Sequence, residues 1–432
     1  MSESALIRTL KLSIVEGSLS QIFLMWTTGS VLVGYMLHFG ATPSQIALVS
    51  SVPLLAQLFS PLAAWWATRL PGRRIFATSL ALFGRCLWLV AAVLPSLAVD
   101  ASLMPVYLLI LVGLSSVFQA ALVVVWTDWM GDVVPEDKRG RYFGIRTGLV
   151  GVIGMIGNLA AGRFLDAFAA PESFQIILGA AVVVSIIASG LLFLHHEPVA
   201  TRQPIELRRA LSLPWLNPNF RQFLTFAGFL FFGMFLSAAL VTAYFLDVLD
   251  MSFTQVAYWT VIASGSALVT TPLWGRLADR IGNRPVLQSG IVIMAVGFPT
   301  CWILADLRHN LNYIWLSAVV DAIAWGATGP AIFNLALFTA PRQGRLTYLA
   351  MYSVTTGLFG FIGGALAGPL FETLQRIPHA SWSGYHSLFV VSGLLRLASV
   401  LLLRRVKETK VWNPRPLFRH LRAWRRLGFP WR

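Results

Sequence analysis

Three ionisable side chains interrupt long apolar runs: Asp321, Arg85 and Arg396. Asp321 follows Asn310 by eleven residues. On a helix this puts it ~16 Å into a hydrocarbon layer ~30 Å thick. Arg85 lies equally far beyond Arg74, and Arg396 precedes Arg404 by eight residues, roughly 12 Å at the same rise. A charge at such depth costs ~2.5 kcal/mol or more, so each group must face protein or water and pair. A carboxyl held between desolvation and a guanidinium can take up and release a proton. Asp321 is read as a proton-coupling or substrate-binding acid, and the alternative is a structural ion pair with Arg396. Arg85 is read as structural, with binding of an anionic solute as the other reading.

The neutral candidates are Trp26, Thr27 and Tyr35, then Gln119, Trp126 and Asn158, then Trp325 and Asn334. Aromatic faces with few hydrogen-bonding groups suit an amphipathic or moderately hydrophobic organic solute. Each of these residues could equally be packing or interfacial. No cluster of acids or bases marks a sugar phosphate or peptide site, and no cofactor or metal spacing is present. Cys86 and Cys301 lie singly in apolar runs and read as packing residues. His195 and His196 are neighbours, so on a helix they diverge by about 100° and make a poor site.

These residues need elements to carry them. The chain has 432 residues, 56% hydrophobic and 12% charged, against about 25% charged in a soluble domain. Apolar runs of ~20 residues recur along nearly all of it, and each must be helical to satisfy its own backbone in lipid. Twelve spans are predicted at roughly 18–39, 44–67, 75–95, 103–127, 146–169, 173–194, 221–246, 254–278, 286–305, 312–338, 347–370 and 384–403. No cleavable signal peptide is expected, because the first run is too long and lacks a cleavage site.

The net charge of +15 could suggest a nucleic acid as partner. The positions argue for topology instead, and no nucleic-acid partner is expected. With the N-terminus inside, 28 of the 33 Lys and Arg fall in cytoplasmic segments, three in outer loops, and two within spans. This positive-inside bias predicts both termini in the cytoplasm. The expected location is the inner membrane of a bacterial cell. The tail from Pro414 to Arg432 spaces Leu417, Leu421 and Trp424 among arginines. That pattern suits a short helix on an anionic inner leaflet, or else a disordered basic tail.

An internal repeat organises the chain. Pro135 to Asp166 aligns without gaps on Pro341 to Glu372 at an offset of 206. Gly151, Gly154, Gly157 and Gly162 match Gly357, Gly360, Gly363 and Gly368, and Arg139 and Tyr142 match Arg345 and Tyr348. Small residues let helices approach closely in lipid, which explains the glycines. Gln119 and Trp325 are equivalent under the same offset. The repeat is parallel and implies six helices plus six: a first bundle over 1–195, a linker over 196–219, a second bundle over 220–405, and a tail over 406–432.

The loop after helix 8 reads Gly275-Arg276-Leu277-Ala278-Asp279-Arg280-Ile281-Gly282-Asn283-Arg284. It resembles the signature loop of the major facilitator superfamily, G-x-x-x-D-R-x-G-[RK]-[RK], with Asn283 replacing one basic residue. The first-half copy, Pro61 to Arg74, keeps Arg69, Gly72, Arg73 and Arg74, but has Ala64 for glycine and Thr68 for aspartate, and Pro71 inserted. The segment from Trp126 through Asp128, Asp132 and Arg139 to Arg146 also resembles bacterial members. The resemblance covers about residues 8–405. It implies an all-α membrane fold of two six-helix bundles related by a pseudo-two-fold axis. Helices 1, 4, 7 and 10 would line a cavity that opens to each side in turn, and Asp321 would lie on one of them. A monomer suffices for such a cavity. The implied function is secondary transport of a small organic solute, coupled to protons.

At the inner surface Asp279 ends a helix where the dipole is negative, so it should meet cations or another helix start. Arg280, Arg284, Arg345 and the start of helix 11 are the expected partners, and the loop would latch the outward-facing state. A static surface cluster is the alternative. The same reasoning joins Asp128 and Asp132 to Arg139, Arg141 and Arg146. A membrane enzyme would need a catalytic group at one interface, and none is apparent. No nucleotide-binding loop is present, so ATP within this chain does not drive transport. A non-transporting sensor or scaffold on the same fold stays open. Antiporters of this superfamily often carry Gly-Pro in helix 5; here Gly368-Pro369 lies in helix 11, which weighs against drug efflux.

Overall fold

In the computed structural model, described for residues 3–67, 69, 72–97, 100–197, 207–341, 345–377 and 382–408, the described segments fold as helices joined by short connections. Eleven of these helices are long and apolar enough to cross a membrane. Spans 2 to 6 are Pro43–Trp66, Arg73–Leu97, Ala101–Val133, Lys138–Ala167 and Glu172–Phe193. Spans 7 to 12 are Pro218–Val248, Phe253–Ile281, Asn283–Leu307, Asn312–Thr339, Thr347–Gln375 and Gly384–Leu403.

Span 1 completes the twelve but differs from its predicted form. It starts much earlier, as Glu3–Thr27, breaks, and resumes as Gly29–His38. Gly29 sits at φ +58°, a conformation L side chains rarely adopt, and Thr28 is extended before it. The break divides the apolar run, so neither piece passes as a span by length and composition. Spans 4, 5 and 11 also run longer than predicted at the end bearing the repeat's Pro and Arg: the helix of span 5 begins at Glu136 and that of span 11 at Arg345. The predicted linker contains a further short helix, Leu207–Leu216.

Polar residues punctuate the turns. Thr42 caps span 2 in a reciprocal box with Gln45, Ser252 does the same for span 8 with Gln255, and Ser383 for span 12 with His386. Tyr35 of span 1 donates to the Ala91 carbonyl of span 3, and Tyr244 of span 7 donates to the Trp302 carbonyl of span 9. These two bonds hold equivalent helices in the two bundles.

Contacts also place both described chain ends at one end of the bundles. Tyr142 reaches the Leu10 carbonyl, the His196 amide reaches Thr9, and Asn219 pairs with Lys407. We call this the basic face and the opposite end the far face. Two acids brace the basic face in matching ways. Glu197 accepts from the amides of Arg73 and Arg74 at the start of span 3. Glu408 accepts from those of Asn283 and Arg284 at the start of span 9, at 2.9 and 3.1 Å. Each acid meets the positive end of a helix and ties it to the last span of the same half.

Candidate functional site

The far face is sealed by pairs that the repeat relates. Asp166, at the end of span 5, accepts from the Phe253 and Thr254 amides at 2.8 Å each, capping span 8 of the other half. Glu372, at the end of span 11, accepts from Ser44 Oγ at 2.7 Å, at the start of span 2. Gly162 and Gly368 permit these crossings: a Cβ on Gly162 would sit 2.7 Å from the Phe253 carbonyl, and one on Gly368 would collide with Ser44 Cα. Arg163 adds a bond to Tyr258 at 3.2 Å. Among the described residues, the hydrogen bonds that join the two bundles directly all lie at this face. At the basic face Asp279 and Arg280 are exposed. Direct hydrogen bonds between the bundles thus close the far face, and none joins them at the basic face among the described residues.

Asp321 is half-buried on span 10. Among the described residues no hydrogen bond or ion pair within 4 Å reaches its carboxylate, and Arg396 is the charge that acts on it. The alternative reading, a tight ion pair with Arg396, is thus not formed within 4 Å. Arg396 is 3% exposed and already served: Nη2 donates to Ser237 Oγ at 2.6 Å and the Met234 carbonyl at 3.3 Å, and Nη1 to the Met294 carbonyl at 3.2 Å. Its acceptors are neutral, so helix carbonyls and a hydroxyl hold a guanidinium that the alternative reading gave to a carboxylate.

Arg85 does have an acid, and sequence reasoning missed it. Glu16 of span 1 is 4% exposed and lies 3.9 Å from Arg85 and 3.6 Å from Arg146 of span 5. Ser20 donates to Glu16 at 2.7 Å and accepts from Arg85 at 2.8 Å. Arg85 also reaches Ser189 Oγ and the Ser185 carbonyl of span 6. Arg146 passes over Gly17, where a side chain would collide with it, bonds Ser13, and lies 4.3 Å over the Trp126 ring. Two guanidiniums thus share one carboxylate between spans 1, 3, 5 and 6. His195 closes the basic end of this region; burial lowers its imidazole below the usual value and Nδ1 faces the Leu191 carbonyl.

The loop residues divide differently from expectation. Asp128 and Asp132 do not pair with Arg139, Arg141 or Arg146. Both meet Arg73, at 2.9 and 2.6 Å, and the Arg73 side chain is 1% exposed. Residues four apart on span 4 present one face, and Arg73 is the cation packed against it. Arg139 instead donates to the Gly131 and Val134 carbonyls. In the second half Asp279 has no ion pair among the described residues, because Arg284 turns to the Arg404 and Val406 carbonyls. Gly275 has open space around it, and Gly282 turns at φ +94°. Arg345 starts the helix of span 11 and forms no ion pair among the described residues. Thr68, Pro71, Arg342 and the tail from Pro414 to Arg432 lie outside the described residues.

Several neutral candidates are occupied elsewhere. Trp26 donates to the Gly157 carbonyl at 2.8 Å, Tyr35 is 1% exposed in the first bundle, and Asn334 donates to Asn283 at 3.1 Å. Gln119 is half-buried with no hydrogen-bond partner among the described residues and Trp325 is exposed, so neither is drawn into a shared site. Cys301 is buried as expected, whereas Cys86 is exposed. Asn158 stands apart. It lines a cavity of about 200 Å³ between the bundles, directly below the far-face seal, together with Thr28, Thr242, Phe245, Trp259 and Thr260.

Sequence and structure comparisons agree with this geometry. The chain resembles the "Probable multidrug resistance protein EmrY" of Escherichia coli, 25% identical over 188 residues, 40% of this chain and 35% of that one. It resembles "Monocarboxylate transporter 13" of Rattus norvegicus, 24% identical over 43% of this chain and 41% of that one. It therefore spans well under half the length of these curated relatives. The fold superposes on the xylose transporter XylE of E. coli with TM-score 0.70 at 14% identity, covering 97% of this chain and 99% of that one. The family model "Major Facilitator Superfamily" matches residues 17–265 and 230–432. Twelve spans in two matched bundles, a passage between them, and a family match along nearly the whole chain place this protein in the major facilitator superfamily.

Proposed function

We propose that this chain is a secondary active transporter that moves a small organic solute by alternating access and couples the movement to protons through Asp321. The carrying observation is the one-sided seal. Acids and glycines close the far face at repeat-matched positions while the signature loop at the opposite end is disengaged. By the excess of Lys and Arg at the basic face, that face is cytoplasmic, and the arrangement is inward-open. The first bundle is residues 1–195, the second 220–405, and they rock as units, the seal parting as the basic face closes.

Asp321 suits the proton role better than Glu16. Two guanidiniums and Ser20 already occupy the Glu16 carboxylate, whereas no protein hydrogen bond or ion pair within 4 Å, among the described residues, ties up that of Asp321. The relatives do not choose the solute: one is named for multidrug resistance, one for monocarboxylates, one for xylose.

The test follows cysteine accessibility at Thr242, a cavity residue, with Cys86 and Cys301 replaced by Ala. Thr242→Cys should react with a membrane-impermeant thiol reagent from either side in turn. The ratio of the two rates should shift between pH 5.5 and 8. Asp321→Asn should keep normal expression and flatten that pH dependence. Labelling from one side only, at every pH, would exclude alternating access. Loss of the folded protein in Asp321→Asn would return Asp321 to a structural role.

A further inference from the structure

The break in span 1 leaves an unanswered helix start. Thr28 makes no side-chain cap to Gly29–His38; its hydroxyl donates back to the Leu24 carbonyl at 2.7 Å. The first amides of that ten-residue segment are therefore unpaired donors, and Thr28, Gly29 and Ser30 line the 200 Å³ cavity. Asn158 lines the same space. It is 8% exposed, and its amide has no partner among the described residues. With no protein partner among the described residues, the amide opens onto the cavity and its bonding capacity is left for what fills that space. Thr242 brings a hydroxyl that is likewise unpartnered among the described residues.

The rest of the wall sets the chemistry. None of the lining residues is ionisable. A buried charged group needs an opposite charge to meet it, and a helix start supplies only about half a positive charge. In an enclosed wall with no cation beside it, that favours a carbonyl oxygen over a full carboxylate. Phe245 and Trp259 add aromatic faces, and Trp259 directs its indole N–H away to Ser317 Oγ at 2.9 Å, so its ring is what remains for a ligand. The volume corresponds to about six or seven waters at ~30 Å³ each.

We propose that this cavity is a binding site for a small, neutral, flat solute with an amide-like head. The carbonyl oxygen accepts from the Gly29–Ser30 amides, the Asn158 side chain exchanges two hydrogen bonds with the head, and the apolar body lies against Phe245 and Trp259. The assignment names the solute class for the transport reading above, and rests on it only for how a solute reaches the cavity.

Benzamide and benzoate make a matched test, since they share size and shape and differ in charge. Titrated calorimetrically into the purified full chain, benzamide should bind at least tenfold more tightly than benzoate. Asn158→Leu should weaken benzamide tenfold or more, and Thr242→Val less. Thermal unfolding checks that Asn158→Leu folds; should it not, Asn158→Ala carries the same prediction. Benzoate binding as well as benzamide would overturn the neutral class, and benzamide binding untouched by Asn158→Leu or Asn158→Ala would overturn the site. Absence of benzamide binding by the folded chain would overturn it too. The Thr242→Cys accessibility measurement judges the transport reading separately: two-sided labelling without benzamide binding sinks this site and leaves transport standing.

Discussion

Glu16→Leu is expected to be the most destabilising single substitution in the first bundle. Glu16 is the only acid within 4 Å of Arg85 and Arg146 among the described residues, and at 4% exposure water cannot replace it. Its loss leaves two guanidiniums beside one another inside the membrane. Breaking a buried pair by removing one partner costs about 3–5 kcal/mol, because the other charge stays buried and unanswered. Adding Arg85→Leu removes that stranded charge, and the double variant should recover more than half of the lost stability. Arg146 then keeps Ser13 and the Trp126 ring. Thermal unfolding of the four proteins in the cycle measures the coupling. A double variant no more stable than Glu16→Leu would mean the three groups do not act as a unit.

The second large effect concerns the far face. Gly368→Leu should prevent its closure, since any Cβ there collides with the Ser44 backbone, which cannot turn aside as a side chain can. The outward-open population should become dominant, and Thr242→Cys should label from the far side at least tenfold faster. Asp166→Asn is a gentler version. Hydrogen bonds to a charged group contribute about 1.5–3 kcal/mol, so weakening the two at Phe253 and Thr254 should move the balance roughly tenfold in the same direction. Glu372→Gln should do less, having one hydroxyl partner. Unchanged labelling in Gly368→Leu would show that the seal is not a barrier to opening.

What was legible in the sequence followed from patterns of one dimension. Apolar runs gave the spans, the 206-residue offset gave the two bundles, and alternating basic loops put both ends on one side, as the described ends lie. The same offset matched Asp166 with Glu372, but nothing in sequence said that each reaches across to the other half. Glu16 was missed because the first span was begun at Ser18, where the apolar run begins. The helix in fact extends back past Arg8 and Lys11 to Glu3, and this carries Glu16 inside. A signal was available: Arg85 needed an acid, and Glu16 and Ser20 share a helix face. The pairing of Arg73 with Asp128 and Asp132 depends on how spans 3 and 4 pack, and spacing alone favoured nearer arginines. The break at Gly29 was hidden because a glycine inside an apolar run reads the same whether the helix continues or turns.

The glycines of span 11 carry one more implication. Gly357, Gly360, Gly364 and Gly368 all approach span 2, from Gln57 and Leu54 to Ser51 and Ser44, whereas Gly144, Gly148 and Gly151 of span 5 touch nothing and only Gly162 crosses to span 8. One flank of the molecule is stitched for much of its length and the other chiefly towards the far face. Such a body is expected to part like a book, more widely at spans 5 and 8, the fore-edge, than at spans 2 and 11, the spine. A solute would then enter and leave beside the fore-edge, and bulky residues placed there should slow its passage more than the same residues along the spine.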